Sequence, residues 1–356
     1  MKVIFDKNYK VFFGSDVLSH LAQSIIQKSY SQVFVLVDEN TEKFCLPVLK
    51  PYLEKFTLIR MKSGEHNKNL EQATIIWNTL QKNLANRNSV LLNFGGGTLS
   101  DLGGFCASTY KRGIDFINIP TTLLAMVDAS IGGKQGIDLN NYKNLIGVFN
   151  HPTQVFIYPQ FIETLSAADK RNGLAELLKH ALIDDKELFE KLIKTSQIDY
   201  HQIEKFIEKS TKIKIKIVNK DPYEKGLRKM LNFGHTIGHA IETYSLINDA
   251  KPLKHGEAIA IGIICESYLS NKMMKLSNSD LDSIVKFIQY NFEKYGNQWR
   301  YDDLITNMHH DKKNNTNQIN FTLLKKLGKA EIDCHCSTEL IIESLQFYES
   351  LSFYKS

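Results

Sequence analysis

Residues 89–101 read SVLLNFGGGTLSD, an apolar run that stops at three glycines. A run that is apolar at successive positions predicts a strand buried on both faces, as in a parallel sheet. Similar short runs lie at Val33–Asp38 and Phe116–Pro120, with a weaker one at Leu58–Lys62, and Glu71–Arg87 has helical spacing. Strands that alternate with helices in this way predict an α/β arrangement around a mostly parallel sheet.

The pattern changes after about Thr164, where apolar residues recur at i, i+3 and i+4 and predict helices. The segments with this spacing are Ala168–Ile183, Ile203–Val218, His235–Ser245, His255–Leu269 and Asp280–Tyr290. Lys212–Ile217 alternates strictly and so resembles a strand, but the spacing on both sides of it favours a helix. We therefore predict a Rossmann-like parallel-sheet domain over residues 1–166 and a mostly α-helical domain over residues 167–356.

Composition excludes several classes of protein. The 356 residues carry 44 Lys and Arg against 39 Asp and Glu, and a formal net charge of +5 is too small for a dedicated nucleic-acid binder. No apolar run approaches the roughly 20 residues of a membrane helix, and Asp6 and Lys7 interrupt the N-terminal run, which argues against a signal peptide. Five scattered cysteines predict free thiols in a reducing cytoplasm. Cys334 and Cys336 flank a histidine like metal ligands, but their alternation is typical of a strand.

The glycines at residues 95–97 predict that the backbone approaches a ligand closely. Glycine lets the main chain lie against a phosphate, and the amides of the following helix can hold a pyrophosphate. The spacing differs from the G-x-G-x-x-G fingerprint, and an ordinary strand-to-helix turn stays open as an alternative. Asp38 ends an earlier strand and suits a ribose hydroxyl, although in the standard fingerprint the acid follows the glycines. A dinucleotide site here would be a variant one.

Residues 120–147 place several polar side chains among small residues, in the sequence PTTLLAMVDASIGGKQGIDLNNYKNLIG. Lys134, Lys143 and the upstream Arg112 supply charges that suit phosphate or carboxylate groups. Because glycines adjoin Lys134, we predict a loop that faces a ligand rather than a solvated charged face.

Candidate metal ligands lie on three predicted helices. Glu176 and Lys179 are spaced i, i+3 and His235 and His239 are spaced i, i+4, so each pair shares a helix face. His255 begins a third helix. Histidine and carboxylate ligands suit Zn²⁺, and a catalytic zinc site takes three protein ligands and leaves one position open. The histidine pair lacks the glutamate of the zincin motif, and spacing alone leaves both histidines open as ligands.

Taken together, these motifs resemble those of the 3-dehydroquinate synthase family, in the family's order and over nearly the whole chain. The matching stretches are SGEHNK (63–68), GGGTLSDLGGFCASTYKRG (95–113), IPTTLLAMVDASIGGKQGID (119–138), NLIGVF (144–149), GLAELLK (173–179), DPYEKGLRKMLNFGHTIGHAIE (221–242), HGEAIAIG (255–262) and DKK (311–313). Departures are small. Gln135 stands where Thr is common, His180 and Ala181 where Tyr and Gly are usual, and Ala129 departs within VDAS.

The resemblance implies roles for residues at matching positions. It makes Glu176, His235 and His255 the metal ligands and His239 an active-site base or phosphate contact. The implied NAD contacts are Asp38, Asn40, Glu65, Lys68, Gly96, Gly97, Asp101, Thr121, Thr122 and Thr164. The positions where nicotinamide would meet substrate are Asp128, Lys134, Lys143 and Asn144, and the implied substrate-binding set is Lys179, Lys214, Glu224, Arg228 and Asn232. Arg112 resembles a residue that reaches the neighbouring subunit's phosphate site, which implies a homodimer, and Lys312 or Lys313 resembles a further phosphate contact.

The implied activity is the conversion of 3-deoxy-D-arabino-heptulosonate 7-phosphate (DAHP) to 3-dehydroquinate and phosphate, with NAD and Zn²⁺ or Co²⁺. NAD⁺ oxidises the substrate transiently, phosphate leaves by β-elimination, the hydride returns, and the ring opens and closes by an aldol step. Glu224 and His239 are candidate proton carriers, and Asp128 is a candidate to orient the reacting hydroxyls.

Three alternatives remain open at this point. A cyclase for sedoheptulose 7-phosphate or glucose 6-phosphate is disfavoured by Lys214, Arg228 and Asn232, because those substrates lack the carboxylate that such a set suits. A metal-dependent polyol dehydrogenase would release NADH rather than recycle it. A metabolite-binding relative without activity would not need the full set of candidate ligands and bases.

Overall fold

The computed structural model describes residues 1–140, 142–194, 203–296, 299–309 and 318–353. Two units make up the chain, residues 1–170 with 214–219 and residues 171–213 with 220–356. The boundary that we predict after residue 166 lies next to the start of a helix at Ala167. The return of residues 214–219 to the first unit is not evident from the sequence pattern.

A mostly parallel sheet forms the centre of the first unit. Its strands and those of an adjoining hairpin are β1 (Lys2–Phe5), β2 (Lys10–Phe13), β3 (Gln32–Val37), β4 (Thr57–Arg60), β5 (Ser89–Gly95), β6 (Asp115–Pro120), β7 (Lys134–Leu139), β8 (Tyr142–Phe149) and β9 (Gln154–Ile157). Seven of them pair in the order β1-β2-β9-β6-β5-β3-β4, with every neighbour parallel except β1 and β2. β7 and β8 pair antiparallel as a separate hairpin. The predicted strands β3 to β6 and the predicted fold class are confirmed.

Helices connect the strands of this sheet. They are α1 (Val17–Lys28), α2 (Glu39–Phe44), α3 (Leu46–Leu49), α4 (Leu70–Lys82) and α5 (Gly97–Thr109). All of β5 is buried, as its apolar sequence predicts. β3 and β5 are neighbours although β4 lies between them in the chain, so the strand order reverses there, and ligands of open α/β sheets bind at the carboxyl ends of strands at such a point.

α5 packs closely on the sheet and on the β7–β8 hairpin because Gly103 and Gly104, in its middle, have no side chain. A Cβ added at Gly103 would lie 2.0 Å from Oδ1 of Asn93, and one at Gly104 would lie 2.0 Å from Oε1 of Gln135. Gln135 is buried, and its Nε2 donates to the carbonyl of Asn150 at 3.3 Å. Gln135, which stands where the family commonly has Thr, therefore packs against Gly104 of α5.

The second unit is mostly helical. Its helices are α6 (Ala167–Asp184, whose first turn belongs to the first unit), α7 (Lys186–Leu192), α8 (Glu204–Lys220, of which residues 214–219 belong to the first unit), α9 (His235–Asn248), α10 (His255–Met274), α11 (Asn278–Asn291), α12 (Tyr301–His309) and α13 (Thr338–Ser350). Lys212–Ile217 lies within α8, as predicted. An antiparallel hairpin of β10 (Asn320–Lys326) and β11 (Lys329–His335) also belongs to this unit. Cys334 lies in β11, whereas the pairing of the hairpin is not evident from the sequence. Among the described helices, none is long and apolar enough to cross a membrane.

Candidate active site

Three helices of the second unit bring their candidate metal ligands together. Glu176 lies in α6, and His235 and His255 are the first residues of α9 and α10. The Nε2 atoms of His235 and His255 lie 3.3 and 3.4 Å from Oε1 of Glu176. One ligand atom from each residue lies within 4.8 Å of the others, close enough for a single ion.

Hydrogen bonds on the far side of each imidazole ring orient its Nε2 toward Glu176. Nδ1 of His235 lies 3.1 Å from the carbonyl of Phe233, and Nδ1 of His255 lies 3.3 Å from Oε2 of Glu242 in α9. An Nδ1–H that donates to these oxygens leaves the lone pair of Nε2 for a metal. Such partners behind a histidine are typical of metal ligands in proteins.

The donor set fits a divalent cation. Glu176 is buried, and neither of its carboxylate oxygens has a hydrogen-bond partner of good geometry, although Lys179 forms an ion pair with it. A buried carboxylate with unsatisfied oxygens is costly, and a cation between it and the two histidines would remove that cost. One carboxylate and two imidazoles suit Zn²⁺ and Co²⁺.

Electrostatics around the cluster keep the carboxylate ionised. Burial alone would raise the pKa of Glu176, but Lys179 and His235 hold it well below its usual value. Burial and the ammonium of Lys179 lower the pKa of His235 to about 3, so this ring is neutral, as a metal ligand must be. Burial also lowers the pKa of His255, but Glu242 and Glu176 raise it to about 9. This ring is therefore protonated at neutral pH without a metal, and a metal that binds its Nε2 must displace that proton.

Glycines let the three ligand-bearing helices approach one another. A Cβ at Gly256, next to His255, would lie 2.1 Å from the carbonyl oxygen of Asn172 in α6. A Cβ at Gly262 in α10 would lie 1.9 Å from the carbonyl oxygen of Gly234, which precedes α9. The backbones are therefore in direct contact at both places. These contacts set how far the three ligands lie from each other.

His239 lies one turn after His235 in α9. The rings of His235 and His239 are 5.1 Å apart, and His239 also groups with Glu242 and His255 as a second candidate ligand set.

Glu257 accepts a hydrogen bond from the amide of Lys254 at 2.9 Å and caps the start of α10.

The segment before α9 carries Glu224, Arg228 and Asn232, three of the predicted substrate-binding residues of this unit. Asp221 organises it by accepting backbone hydrogen bonds from Lys225, Gly226 and Arg228 at 3.0, 2.7 and 3.1 Å. Sequence reasoning missed Asp221, although an aspartate before a proline at a turn is a recognisable signal. The loop also buries Arg228, whose Nη1 donates to the carbonyl of Pro222 at 2.6 Å.

Two further predicted residues of this loop contact each other. Asn232 donates to Oε1 of Glu224 at 3.2 Å. Glu224 has a φ of +57°, a left-handed conformation that few residues other than glycine adopt. Loop contacts thus fix the side chain of a candidate proton carrier.

In the first unit, the candidate NAD contacts follow the carboxyl ends of neighbouring strands. Asp38 follows β3, Gly96 and Gly97 follow β5, and Thr121 and Thr122 follow β6. The amide of Thr121 donates to the carbonyl of Gly95 at 2.9 Å. Oδ1 of Asp38 accepts from the amide of Thr41 at 2.7 Å and caps α2. A Cβ at Gly97 would lie 3.0 Å from the methyl of Ala129, another of the departures from the family pattern.

A buried lysine joins three carboxylates beside these strand ends. Nζ of Lys68 lies 2.5 Å from Glu65, 3.4 Å from Asp101 and 3.9 Å from Asp138. Burial raises the pKa of Asp101 to about 7, where Glu65 adds to the shift and Lys68 opposes it. Glu65 also accepts from Thr98 at 2.6 Å. The sequence predicted Glu65, Lys68 and Asp101 here but not Asp138.

Residues 120–147 differ from the predicted loop. Ala125–Ala129 forms a π-helical turn, and residues from Lys134 onward form the β7–β8 hairpin. Asp128 in the turn accepts from Nζ of Lys214 at 2.5 Å, which pairs two predicted site residues within the first unit. The predicted loop is wrong for β7 and β8, because main-chain hydrogen bonds pair these two segments as strands.

The remaining predicted residues of the first unit lie in exposed or partly exposed positions. Lys134 begins β7, and Lys143 and Asn144 lie in β8, where the amide of Asn144 donates to Oδ1 of Asp138 at 2.7 Å. Asn40 and Arg112 are exposed, and the hydroxyl of Thr164 donates to the carbonyl of Phe161. In the second unit, the predicted Lys312 and Lys313 lie outside the described residues.

Two departures from the family pattern, His180 and Ala181, lie in the second unit. His180 is fully buried next to Lys179 in α6. Its Nδ1 lies 2.7 Å from the hydroxyl of Ser210 in α8. This pair joins the helix of Glu176 to α8.

Comparisons with known proteins bear on both units. Residues 58–172 match the family model described as 3-dehydroquinate synthase N-terminal, and residues 173–314 match the one described as 3-dehydroquinate synthase C-terminal. The 3-dehydroquinate synthase of Parabacteroides distasonis is 41% identical over 344 residues, which cover 95% of this chain and 97% of that protein.

Solved structures with the same fold include enzymes of different chemistry. A 2-deoxy-scyllo-inosose synthase complexed with carbaglucose-6-phosphate, NAD⁺ and Co²⁺ has a TM-score of 0.86 at 25% identity, covering 98% of this chain and 99% of that one. The NADH-dependent butanol dehydrogenase A of Thermotoga maritima has a TM-score of 0.64 at 14% identity, with 98% of each chain covered. The second likeness concerns the fold alone.

Proposed function

Because the chain belongs to the 3-dehydroquinate synthase family, we propose that it converts DAHP to 3-dehydroquinate and phosphate. The observation that carries the proposal is the cluster of Glu176, His235 and His255, whose two Nε2 atoms converge on one buried carboxylate oxygen. The reaction needs both a divalent metal and NAD, which the related inosose synthase holds as Co²⁺ and NAD⁺.

The second unit would hold the metal through Glu176, His235 and His255. A Zn²⁺ or Co²⁺ ion there would supply Lewis-acid polarisation of substrate oxygens. Glu242 keeps the ring of His255 oriented, and Lys179 keeps Glu176 ionised. Lys179 also places a positive charge beside the cluster, where it stabilises negative charge that develops on a substrate oxygen.

The first unit would hold the dinucleotide at the carboxyl ends of its strands. NAD⁺ would supply a reversible hydride acceptor. The amides of Gly96 and Gly97 suit its pyrophosphate because they begin α5, where helix N–H groups have no internal partner. Asp38 suits a ribose hydroxyl. The residues proposed to complete this set are Asn40, Glu65, Lys68, Asp101, Thr121, Thr122, Lys134, Lys143 and Thr164.

Substrate recognition would rest on cations and amides. Arg228, Lys214 and Asn232 suit the planar carboxylate of DAHP, and this set favours DAHP over sugar phosphates without a carboxylate. Lys134, Asn144 and one of Lys312 and Lys313 suit the phosphate.

In this proposal Glu224 and His239 transfer protons during the reaction. Asp128, paired with Lys214, would orient the reacting hydroxyls.

Assembly and location belong to the same proposal. A homodimer follows if Arg112, which is exposed with a φ of +67°, reaches a phosphate site on a second copy. A cytoplasmic location agrees with five cysteines that are all free thiols. Analytical ultracentrifugation of the purified protein tests the first of these statements.

A single cuvette with protein, NAD⁺, Zn²⁺ and DAHP tests the activity. We expect stoichiometric phosphate release without accumulation of NADH, because a cyclase returns its hydride. Accumulating NADH without phosphate would contradict the proposal and indicate a dehydrogenase. No response to DAHP, with turnover of glucose 6-phosphate or sedoheptulose 7-phosphate, would indicate a different cyclase.

Replacement of one ligand tests the metal centre. His255→Ala should lose bound metal and turnover together, whereas His309→Ala, at an exposed position in α12, should keep both. A His255→Ala protein that retains stoichiometric metal and full activity would refute the assignment.

A further inference from the structure

Glu266 lies in α10 and is fully buried, yet none of the roles above uses it. Its Oε2 accepts a hydrogen bond from the amide of Gly234 at 2.6 Å, and its Oε1 accepts one from the amide of Ile237 at 3.1 Å. Gly234 is the N-cap residue of α9, and Ile237 lies in its first turn. The carboxylate therefore caps α9 from a neighbouring helix.

This arrangement replaces a local cap that α9 cannot make. The first amides of a helix have no partner within the helix, and a Ser, Thr, Asp or Asn at the N-cap normally satisfies one of them. α9 has glycine at that position, and no side chain of its own caps it. A buried negative charge at the positive end of a helix is also favourable electrostatically.

The capped turn carries the candidate metal ligand. His235 lies directly after Gly234, and Nδ1 of the same histidine is held by the carbonyl of Phe233. Because Glu266 accepts hydrogen bonds from the amides of Gly234 and Ile237, on either side of His235, it fixes the axial position and rotation of the first turn of α9. Gly262 lies one turn before Glu266 in α10 and allows the close approach on which both hydrogen bonds depend.

We propose that Glu266 is a positioning residue for His235 and thereby sets the metal affinity of the Glu176–His235–His255 centre. This inference rests on the proposed function, because it assumes that the centre binds a divalent metal. The carboxylate acts on His235 through its hydrogen bonds to the backbone amides of Gly234 and Ile237.

Two variants test the role in the full-length protein. In Glu266→Gln the amide oxygen still accepts from one N–H, but the NH₂ group faces the other donor and the charge is lost. Glu266→Asp keeps the charge but is one methylene shorter. The matched control is Glu339→Gln, which replaces an exposed glutamate in the first turn of α13, a helix without a candidate ligand.

The measurements are Zn²⁺ affinity by competition with a chromophoric chelator, the visible spectrum of the Co²⁺ form, and the melting temperature without metal. We expect Glu266→Gln to weaken Zn²⁺ binding on the order of 10- to 100-fold, as for other residues that orient metal ligands, and to change the Co²⁺ spectrum. Glu266→Asp should recover part of the affinity, and Glu339→Gln should match the wild type.

The outcomes separate this role from a purely structural one. A lower melting temperature with unchanged affinity and spectrum in folded Glu266→Gln would overturn the proposal. If Glu266→Gln does not fold, wild-type affinity in Glu266→Asp would overturn it and weakened affinity would support it. Wild-type protein that binds no metal would instead refute the proposed function, on which the inference depends.

Discussion

The substitution Gly262→Ala tests whether backbone contact between α9 and α10 sets the geometry of the metal centre. The added Cβ would lie 1.9 Å from the carbonyl oxygen of Gly234 and 2.7 Å from the amide nitrogen of Gly238. Carbon and oxygen atoms in close contact are about 3.3 Å apart, so the two helices must separate by about 1.4 Å at this point. Both clashing atoms belong to backbone, and no side-chain rotation relieves them.

The structure gives a magnitude for the loss of stability. Alanine is favoured over glycine by about 1 kcal/mol in a helix interior, whereas overpacking costs about 1–3 kcal/mol even where side chains can adjust. With rigid backbone on the other side, we expect a net loss of about 2 kcal/mol in the free energy of unfolding. For a unit of this size that corresponds to about 4–8 °C in melting temperature.

Gly262→Ala should weaken metal binding more than it lowers the stability of the fold. Metal–ligand distances tolerate about 0.2 Å, and a displacement of about 1.4 Å between α9 and α10 carries His235 away from His255 by several times that tolerance. We expect Zn²⁺ affinity to fall by more than about 100-fold, beyond the effect of losing one orienting partner.

The assay compares two alanine variants. Chelator competition gives the Zn²⁺ affinity, and calorimetry of the metal-free protein gives the melting temperature. Gly296→Ala serves as the control because, apart from its chain neighbours, no atom of the described residues lies within 4 Å of its added Cβ. If Gly262→Ala matched Gly296→Ala in both measurements, the reasoning from helix contact would be refuted.

Three further predictions concern other contacts. Asp221→Asn should cost about 1–2 kcal/mol at pH 7 and raise KM more than it lowers kcat. Burial raises the pKa of Asp221, but hydrogen bonds from the amides of Gly226 and Arg228 outweigh it and lower that pKa, so the stabilisation is present above the unfolded pKa and lost as pH falls through the lower folded pKa; the melting temperatures of variant and wild type should converge in acid, and a constant gap would contradict this. Lys68→Met leaves three carboxylates without their shared cation and should weaken NAD⁺ binding in calorimetric titration at least about 10-fold. The control Lys82→Met, at an exposed position, should bind NAD⁺ like the wild type, and equal NAD⁺ affinities of the two variants would argue against the cofactor site. Gly104→Ala should lower the free energy of chemical unfolding by about 1–3 kcal/mol, but by less than about 1 kcal/mol in a Gln135→Thr background, which lacks the Oε1 atom that the new Cβ would meet. If the losses from the two substitutions were additive, that contact would be excluded as the cause.

Local sequence patterns predicted the central strands and the helices because each depends on a periodicity within one segment. β5 is buried on both faces, and its continuous apolar run predicts this burial. The β10–β11 hairpin shows the limit of such patterns. The alternation around Cys334 predicts a strand, but its partner at Asn320–Lys326 is a separate segment, and nothing local indicates that the two pair. The same limit applies to residues 214–219, which continue α8 yet belong to the first unit.

At the site, sequence could predict residue types but not which of them meet. Spacing puts His235 and His239 on one helix face and leaves both open as ligands. The choice of His235 depends on Glu176 from α6 and on His255 from α10, which converge only in the folded unit. The sequence analysis did not predict three further acidic residues, Asp138, Asp221 and Glu266. Each of them acts through backbone amides or a neighbouring cation rather than through a recognisable chemical motif.

The ligand motifs nevertheless carry part of the geometry that spacing alone does not reveal. In HGEAIAIG, the histidine that faces Glu176 is followed by Gly256 and then by Gly262, and both are points of backbone contact with the helices that supply the other ligands. A side chain at Gly256 would move α6 and Glu176, and one at Gly262 would move α9 and His235. The chemistry of the centre and the packing that positions it are therefore encoded in the same eight residues. A histidine transplanted without these glycines would keep the ligand but lose the distance at which it meets its partners.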